Sequence, residues 1–179
     1  APSNWQYNIA ILDLNGMFDP DYAARCGMDL ARLLIIRPQL ETTTVDLMLD
    51  LVKAGELRAL LIDSLPDLTR QSAIARSLNA KLPTLLQGLR PMPLALLVLD
   101  EIAAHWRRLF NLDRHWQLRE QAALHIELRR ERWLTKQQDL IGYQAQAIVL
   151  KSHWTRQQSS TPLEIVFNGV VRAARTGEL

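Results

Sequence analysis

Polar side chains follow three apolar runs of the sequence, at the point where each run ends. They are Asp13 with Asn15, Asp63 with Ser64, and Asp100 with Glu101. Each run has the length and composition of a buried strand in a parallel sheet. In such sheets, ligands bind beyond the carboxyl ends of the strands. The sequence therefore predicts that a ligand site, if there is one, lies at this edge.

The second strand end carries the most informative pattern. In "ALLIDS" (59–64) an apolar run ends in Asp63 and Ser64. An acid in this place of a nucleotide-binding protein holds Mg²⁺, directly or through water, beside the phosphates. A structural interpretation is also open, because an aspartate at a strand end caps the following turn. Asp63 is therefore predicted as a metal ligand only on the condition that a nucleotide binds.

The usual device for binding phosphates is missing from the sequence. A triphosphate is normally held by the backbone N–H groups of a glycine-rich loop and by a lysine. The 179 residues contain no G-x-x-x-x-G-K-[ST] motif, and the seven glycines are scattered singly. ATP and Mg²⁺ are thus candidate cofactors without the loop that would hold their phosphates.

A basic, aromatic segment spans residues 106–116, "WRRLFNLDRHW". Arginines can pair with phosphates and aromatic rings can stack on bases, so this composition indicates binding of single-stranded DNA. The predicted DNA-binding residues are Trp106, Arg107, Arg108, Arg114 and Trp116. In the alternative interpretation, the tryptophans pack on the sheet and the arginines are solvated.

The apolar pattern predicts the elements that position these residues. Buried strands are predicted at 7–14, 30–38, 57–64 and 93–101, and helices at 19–27, 43–55 and 69–89, with Pro83 expected to kink or divide the third helix. Partly alternating runs at 123–133, 143–154 and 163–171 predict antiparallel strands. The predicted fold is α/β in a single domain. A mostly parallel sheet flanked by helices (about 5–101) is followed by an antiparallel extension (about 118–171).

Composition narrows the class of protein. The chain has 48% hydrophobic and 22% charged residues, a globular balance. Its net charge of +2 is too small to indicate nucleic acid or an acidic membrane as a partner. The single cysteine, Cys26, excludes an internal disulfide, and no apolar run approaches the roughly 20 residues of a membrane span. We therefore expect a cytoplasmic protein without a membrane partner.

With these elements in order, the chain resembles bacterial RecA, the core of the recombinase ATPases. The segment "LDLNGMFDPDYAARCGMDLARLLIIRPQ" is similar to the RecA segment that holds an acidic strand end and a D-P-x-Y-A box. "LLIDSLPDLT" resembles the Walker-B strand, and "LALLVLDEI" takes the place of the strand that ends in N-Q-I. "ALHIELRRERW", "GYQAQAIVLKSHW" and "LEIVFNG" follow the last core strands. The resemblance implies a P-loop-NTPase-type core of the RecA kind.

The resemblance implies that five residues contact a nucleotide. They are Asp19 and Tyr22 of the box that cradles adenine, Asp63 and Ser64 of the Walker-B strand, and Lys151, which matches a lysine that reaches the neighbouring subunit's nucleotide. The companion of that lysine is replaced by His153. Of the family's DNA loops, the first is nearly deleted after Arg70, and the second corresponds to Ala103–Gln117 without its glycines.

Two positions carry residues that differ from those RecA uses in ATP hydrolysis. Asn15 stands where RecA has the glutamate that activates water, and an amide cannot accept that proton. Glu101 stands at the nucleotide-sensing glutamine and places a negative charge where the γ-phosphate would be approached. The resemblance therefore implies weak or absent ATP hydrolysis.

Three functions remain open from the sequence. The chain is the core of a DNA repair or recombination protein with nucleotide-linked DNA binding, or a non-catalytic adaptor of the SulA or ImuA kind in the SOS response. Alternatively, it is an active ATPase in which Glu101 replaces the catalytic acid and a preceding segment supplies the P-loop. The Walker-A strand would precede Asn4, either removed from this chain or absent from a natural relative. The implied partners are single-stranded DNA, further copies of the chain, or a DNA-repair protein.

Overall fold

The computed structural model describes residues 9–39, 41–101, 116–154 and 159–173. The chain divides into two compact units. The first contains the described residues up to Asp19 and those from Asp29 to Trp116. The second contains Pro20–Met28 and the described residues from Gln117 onward. Each unit is built on a four-stranded sheet.

The elements of the described ranges alternate between strand and helix at first and are then mainly strands. In chain order they are β1 (Ile9–Asp13), α1 (Pro20–Arg25), a 3-10 turn (Leu30–Arg32), β2 (Leu33–Ile36), α2 (Thr43–Ala54), β3 (Ala59–Asp63), α3 (Leu65–Leu68), α4 (Ser72–Leu89), β4 (Ala95–Val98), α5 (Trp116–Gln121), β5 (Leu124–Lys136), β6 (Asp139–Ser152), β7 (Ser160–Val166) and β8 (Val170–Ala173).

The sheet of the first unit is parallel, with the strand order β2-β1-β3-β4. Its core is formed by apolar side chains of β1 and β3, among them Leu12 and Leu60, which are fully buried. Helices α2 and α4 pack together, and each contributes an apolar stripe to this core, as helical spacing of the apolar residues predicts. Strand β4 is more open, since Leu97 is 49% exposed.

Helix α4 runs unbroken from Ser72 to Leu89, with Pro83 inside it. The predicted division at Pro83 is therefore wrong. A proline inside a helix removes one backbone hydrogen bond. Here Leu78, Leu82 and Leu85 are buried on both sides of the proline, and burial of three leucines outweighs the loss of that bond. The helix also begins at Ser72 rather than at 69, because residues 65–68 form the separate short helix α3.

The sheet of the second unit is an antiparallel meander in the order β5-β6-β7-β8. It has four strands where three were predicted, because the run at 163–171 turns back on itself. Gly169, at a φ of +94°, makes this turn, and a Cβ there would lie 3.0 Å from the carbonyl carbon of Arg25. The turn thus approaches the C-terminal end of α1 closely enough to favour glycine.

The hairpin between β5 and β6 is tighter and longer than predicted. Its two turn residues, Gln137 and Gln138, both have positive φ, at 49° and 74°. This is the geometry of a two-residue hairpin loop, which usually carries Asn-Gly or Asp-Gly. Because that signal is missing, the residue types at this point do not predict a turn.

The predicted fold class is confirmed: a parallel sheet flanked by helices is accompanied by an antiparallel sheet of C-terminal strands. Within the ranges that the structure describes, no helix is long and apolar enough to cross a membrane.

Candidate functional site

The predicted site lies at the carboxyl edge of the parallel sheet. Strands β1 and β3 are neighbours, and their last residues, Asp13 and Asp63, face each other in register. The pairing continues one residue further, since the backbone N–H of Leu14 donates to the carbonyl of Asp63 over 3.0 Å. Two of the three predicted polar strand ends are therefore brought side by side by the strand order alone.

Asp13 is a fully buried carboxylate that is satisfied on both oxygens. Its Oδ2 accepts from the Nε of Arg37 at 2.7 Å, and Arg37 follows the end of β2, the neighbouring strand. Its Oδ1 accepts from the backbone N–H groups of Met17 at 3.0 Å and of Phe18 at 3.3 Å. Asp13 therefore fixes the loop after β1, and the sequence did not indicate the pairing with Arg37.

Asp63 differs from Asp13, because no described residue donates a hydrogen bond to its carboxylate. Burial raises the pKa of Asp63, and the nearby carboxylates of Asp13 and Asp67 raise it further. The following peptide bond, to Ser64, is cis. A carboxylate that is desolvated, crowded by like charges and without donors is suited to receive a cation. The side chains at this edge thus fit Mg²⁺ at Asp63, with Ser64 beside it.

The raised pKa gives a pH dependence to stability. The folded state holds the proton of Asp63 more tightly than the unfolded state does, so protonation of Asp63 stabilises the fold. This contribution is fully present below the ordinary aspartate pKa of about 3.9, and it is lost as the pH rises through the raised pKa of the folded state. We expect Asp63→Asn to be more stable than the parent at neutral pH, with the difference shrinking in acid. Urea unfolding of both proteins across this range measures it, and a difference that grows in acid would contradict it.

Asn15 and Ser64 are joined through a residue that the sequence did not single out. Asp67, in α3, accepts at Oδ2 from the Nδ2 of Asn15 at 3.2 Å and from the Oγ of Ser64 at 2.9 Å. Its Oδ1 accepts from the Nη2 of Arg70 at 2.8 Å. The only available signal was the acid three residues after Ser64, in "DSLPD". The edge therefore carries a connected polar network.

Comparison with known proteins supports this architecture. The chain is 24% identical to the RecA protein of Brucella anthropi over 186 residues, which cover 95% of this chain and 51% of that protein. It is 32% identical to RecA of Roseiflexus sp. over 76 residues, 42% of this chain and 22% of that protein. The chain thus spans about half the length of the curated relatives it matches. No protein-family model matches it.

Among solved structures, the RadB recombinase is similar to this chain. The TM-score is 0.65 at 16% sequence identity, and the match covers 95% of this chain and 80% of that one. The fold is RecA-like. Asp13 and Asp63, at the ends of β1 and β3, lie at the carboxyl edge of its parallel sheet.

Two predicted nucleotide-binding residues of the RecA-like core, Tyr22 and Lys151, belong to the second unit, whereas Asp19, Asp63 and Ser64 belong to the first. The ring of Tyr22 lies 5.6 Å from the guanidinium carbon of Arg25. Partial burial, and then Cys26 and Tyr143, raise the pKa of the Tyr22 hydroxyl. Tyr143 in turn lies 6.3 Å from Phe167, centroid to centroid. Tyr22 is thus one of a group of aromatic side chains that the sequence did not predict.

Lys151, near the end of β6, donates to the backbone carbonyl of Glu120 in α5. A lysine at a helix C-terminus is favourable, because the last carbonyls have no partner within the helix. His153 donates its backbone N–H to the carbonyl of Ala123 over 2.9 Å. Lys151 is therefore already held within the second unit, and its predicted contact with a nucleotide stays a prediction.

The structure describes only some of the remaining residues that were predicted to bind nucleotide or DNA. Glu101 is exposed beyond the end of β4. Trp116 is the first residue of α5. The predicted DNA-binding residues Trp106, Arg107, Arg108 and Arg114 lie outside the described residues. Within the described ranges, no three His, Cys, Asp or Glu side chains are grouped so as to hold a metal ion by themselves.

Proposed function

We propose that this chain is the core of a RecA-like protein of DNA repair or recombination, in which nucleotide binding is linked to DNA binding and ATP hydrolysis is weak or absent. The observation that carries the proposal is the pairing of Asp13 with Asp63 at the carboxyl edge, with Asn15 beside them. The edge retains the acid suited to Mg²⁺ and lacks the carboxylate that would activate water.

Support for nucleotide binding comes from two features of the first unit. No described residue donates a hydrogen bond to the carboxylate of Asp63, and the pKa of Asp63 is raised by burial and by nearby carboxylates, so a cation would relieve the repulsion there. Ser64 lies next to it and is buried.

DNA binding is proposed from the composition of the basic, aromatic segment at 106–116, which follows β4 in the sequence. Its three arginines and its tryptophans are suited to phosphates and to base stacking, which is worth roughly 1–3 kcal/mol per base. The segment follows β4 and the polar residues Asp100 and Glu101 in the sequence, and this order is the basis of the proposed link between the two ligands.

A second candidate function is a RecA-like adaptor that acts through protein contacts in the DNA-damage response. The observation that favours it is the network around Asp67, which satisfies the side chains of both Asn15 and Ser64 without any ligand. In addition, Glu101 presents a negative charge at the end of β4. A site that is satisfied by its own residues gains less from binding a nucleotide.

Titration of a labelled single-stranded oligonucleotide with the natural polypeptide distinguishes the two functions. We expect binding at about 50 mM salt that weakens steeply towards about 200 mM, because phosphate contacts release counterions. A non-hydrolysable ATP analogue should strengthen the binding. No binding at low salt, with or without the analogue, would remove the DNA role and favour the adaptor, and binding that the analogue leaves unchanged would contradict the nucleotide link.

A further inference from the structure

Both polar atoms of the Asn15 side-chain amide form hydrogen bonds. Its Oδ1 accepts from the backbone N–H of Met17 at 3.0 Å, and its Nδ2 donates to Oδ2 of Asp67 at 3.2 Å. The intervening Gly16 has a φ of +71°, so the loop turns back and brings the N–H of Met17 to the amide oxygen. The position thus needs one acceptor and one donor, which an amide supplies and a carboxylate does not.

The partner of this amide is a charged group with little exposure to water. The side chain of Asp67 is 18% exposed and accepts from three donors, those of Asn15, Ser64 and Arg70. Among the described residues, Arg70 is the cation paired with Asp67, and the side chain of Arg70 is 75% exposed. The three hydrogen-bond partners described for Asp67 are thus all donors, and the carboxylate of Asp63 is a further charged neighbour.

We infer that Asp67 is a positioning residue that requires an amide at position 15 and excludes a carboxylate there. An aspartate at position 15 would direct an oxygen at Oδ2 of Asp67 from the place where Nδ2 of Asn15 now lies, 3.2 Å away. Two ionised carboxylates at that separation repel each other, although solvent at the exposed position 15 reduces the cost. Positions 15 and 67 are therefore chemically coupled, although they are 52 residues apart in the chain.

The inference deepens the proposed function, and its meaning for hydrolysis rests on that function. If this edge is a degenerate ATPase site, a single substitution at Asn15 does not restore an ionised acid there, because Asp67 occupies the facing position. The charge would first have to be removed from Asp67. The network itself, in contrast, is a matter of the described side chains and needs no nucleotide for its test.

The test exchanges the two functional groups. The variants are Asn15→Asp, Asp67→Asn and the double exchange Asn15→Asp with Asp67→Asn, and the control is Asp50→Asn at an exposed position of α2. An asparagine at position 67, with Nδ2 in the place of Oδ2, can donate to an aspartate at position 15 and to the Oγ of Ser64, while its Oδ1 still accepts from Arg70. Thermal unfolding at about pH 7.5 is expected to show a Tm lower by about 3 °C for Asn15→Asp, with most of that loss recovered in the double exchange and no shift in the control.

A pH profile separates this coupling from a general loss of packing. The defect of Asn15→Asp, measured against the parent at the same pH, should diminish towards about pH 4.5, because protonating one carboxyl of the pair restores a donor. The inference is overturned if Asn15→Asp unfolds like the parent at neutral pH, if its defect is the same at both pH values, or if the double exchange is no better than the sum of the single changes. None of these outcomes depends on nucleotide or DNA, so the proposed function stands or falls separately.

Discussion

Replacing Arg37 by methionine is expected to lower the free energy of unfolding by about 2–3 kcal/mol. The carboxylate of Asp13 is fully buried, and the Nε of Arg37 is its charged donor at 2.7 Å. Removing Arg37 leaves a buried charge that keeps the backbone N–H donors of Met17 and Phe18 but loses its cation. The side chain of Arg37 is 57% exposed, so solvent already screens the pair and sets the effect at the low end of the usual range.

The matched variant, Asp13→Asn with Arg37→Met, removes the charge from position 13 as well. The amide oxygen that replaces the carboxylate can still accept from the backbone N–H of Met17, and no charge remains buried. We expect this double variant to be more stable than Arg37→Met alone. Urea unfolding of the parent, both single variants and the double variant completes the cycle. If the double variant is the least stable of the four, the loop after β1 is not held by this ion pair.

The joint variant Arg107→Ala with Arg108→Ala is expected to weaken the binding of single-stranded DNA by about 10-fold or more at about 50 mM salt. These two arginines supply positive charge in the segment proposed to contact the phosphates. Each phosphate contact on a single strand adds roughly 0.7 to the slope of log affinity against log salt, so the slope should fall by about 1.4. Fluorescence anisotropy of a labelled oligonucleotide over a series of salt concentrations measures both quantities.

The control for this pair is Arg58→Ala with Arg90→Ala. It removes the same charge from exposed positions that precede β3 and β4, at the amino edge of the sheet. Affinity should remain close to that of the parent, with a small general loss from the lower net charge. If both double variants lose affinity equally, binding is a property of net charge and not of the segment at 106–116.

The fold could be predicted from the sequence because its signals are local. The apolar runs that end in Asp13 and Asp63 read directly as buried strands, and Pro20 and Gly27 mark the limits of the segment that contains α1. The strand order β2-β1-β3-β4 was not predicted, because apolar runs give the positions of strands and not their neighbours. The turn at Gln137 and Gln138 could not be predicted, because glutamine carries no preference for positive φ.

The site was predicted less completely, because its contacts join distant parts of the chain. Asp13 and Asp63 were expected at one edge, and the register of β1 with β3 places them together. The pairing of Asp13 with Arg37 and of Asn15 with Asp67 depends on side-chain geometry across 24 and 52 residues, which periodicity cannot show. Asp67 lies in the first turn of α3, where an acidic residue commonly stabilises the N-terminus of a helix. Nothing in the sequence therefore distinguished it as part of a site.

The most direct test of the lost hydrolytic group is ATP turnover by the natural polypeptide in the presence of single-stranded DNA. Positioned general-base catalysis contributes typically about 10²–10⁴-fold, and Asn15 cannot supply it. We predict that phosphate release stays at the level of a protein-free blank under conditions in which nucleotide binding is demonstrated separately. Rapid release of phosphate, stimulated by single-stranded DNA and unchanged by Asn15→Ala, would contradict the central claim that this edge has lost its hydrolytic group.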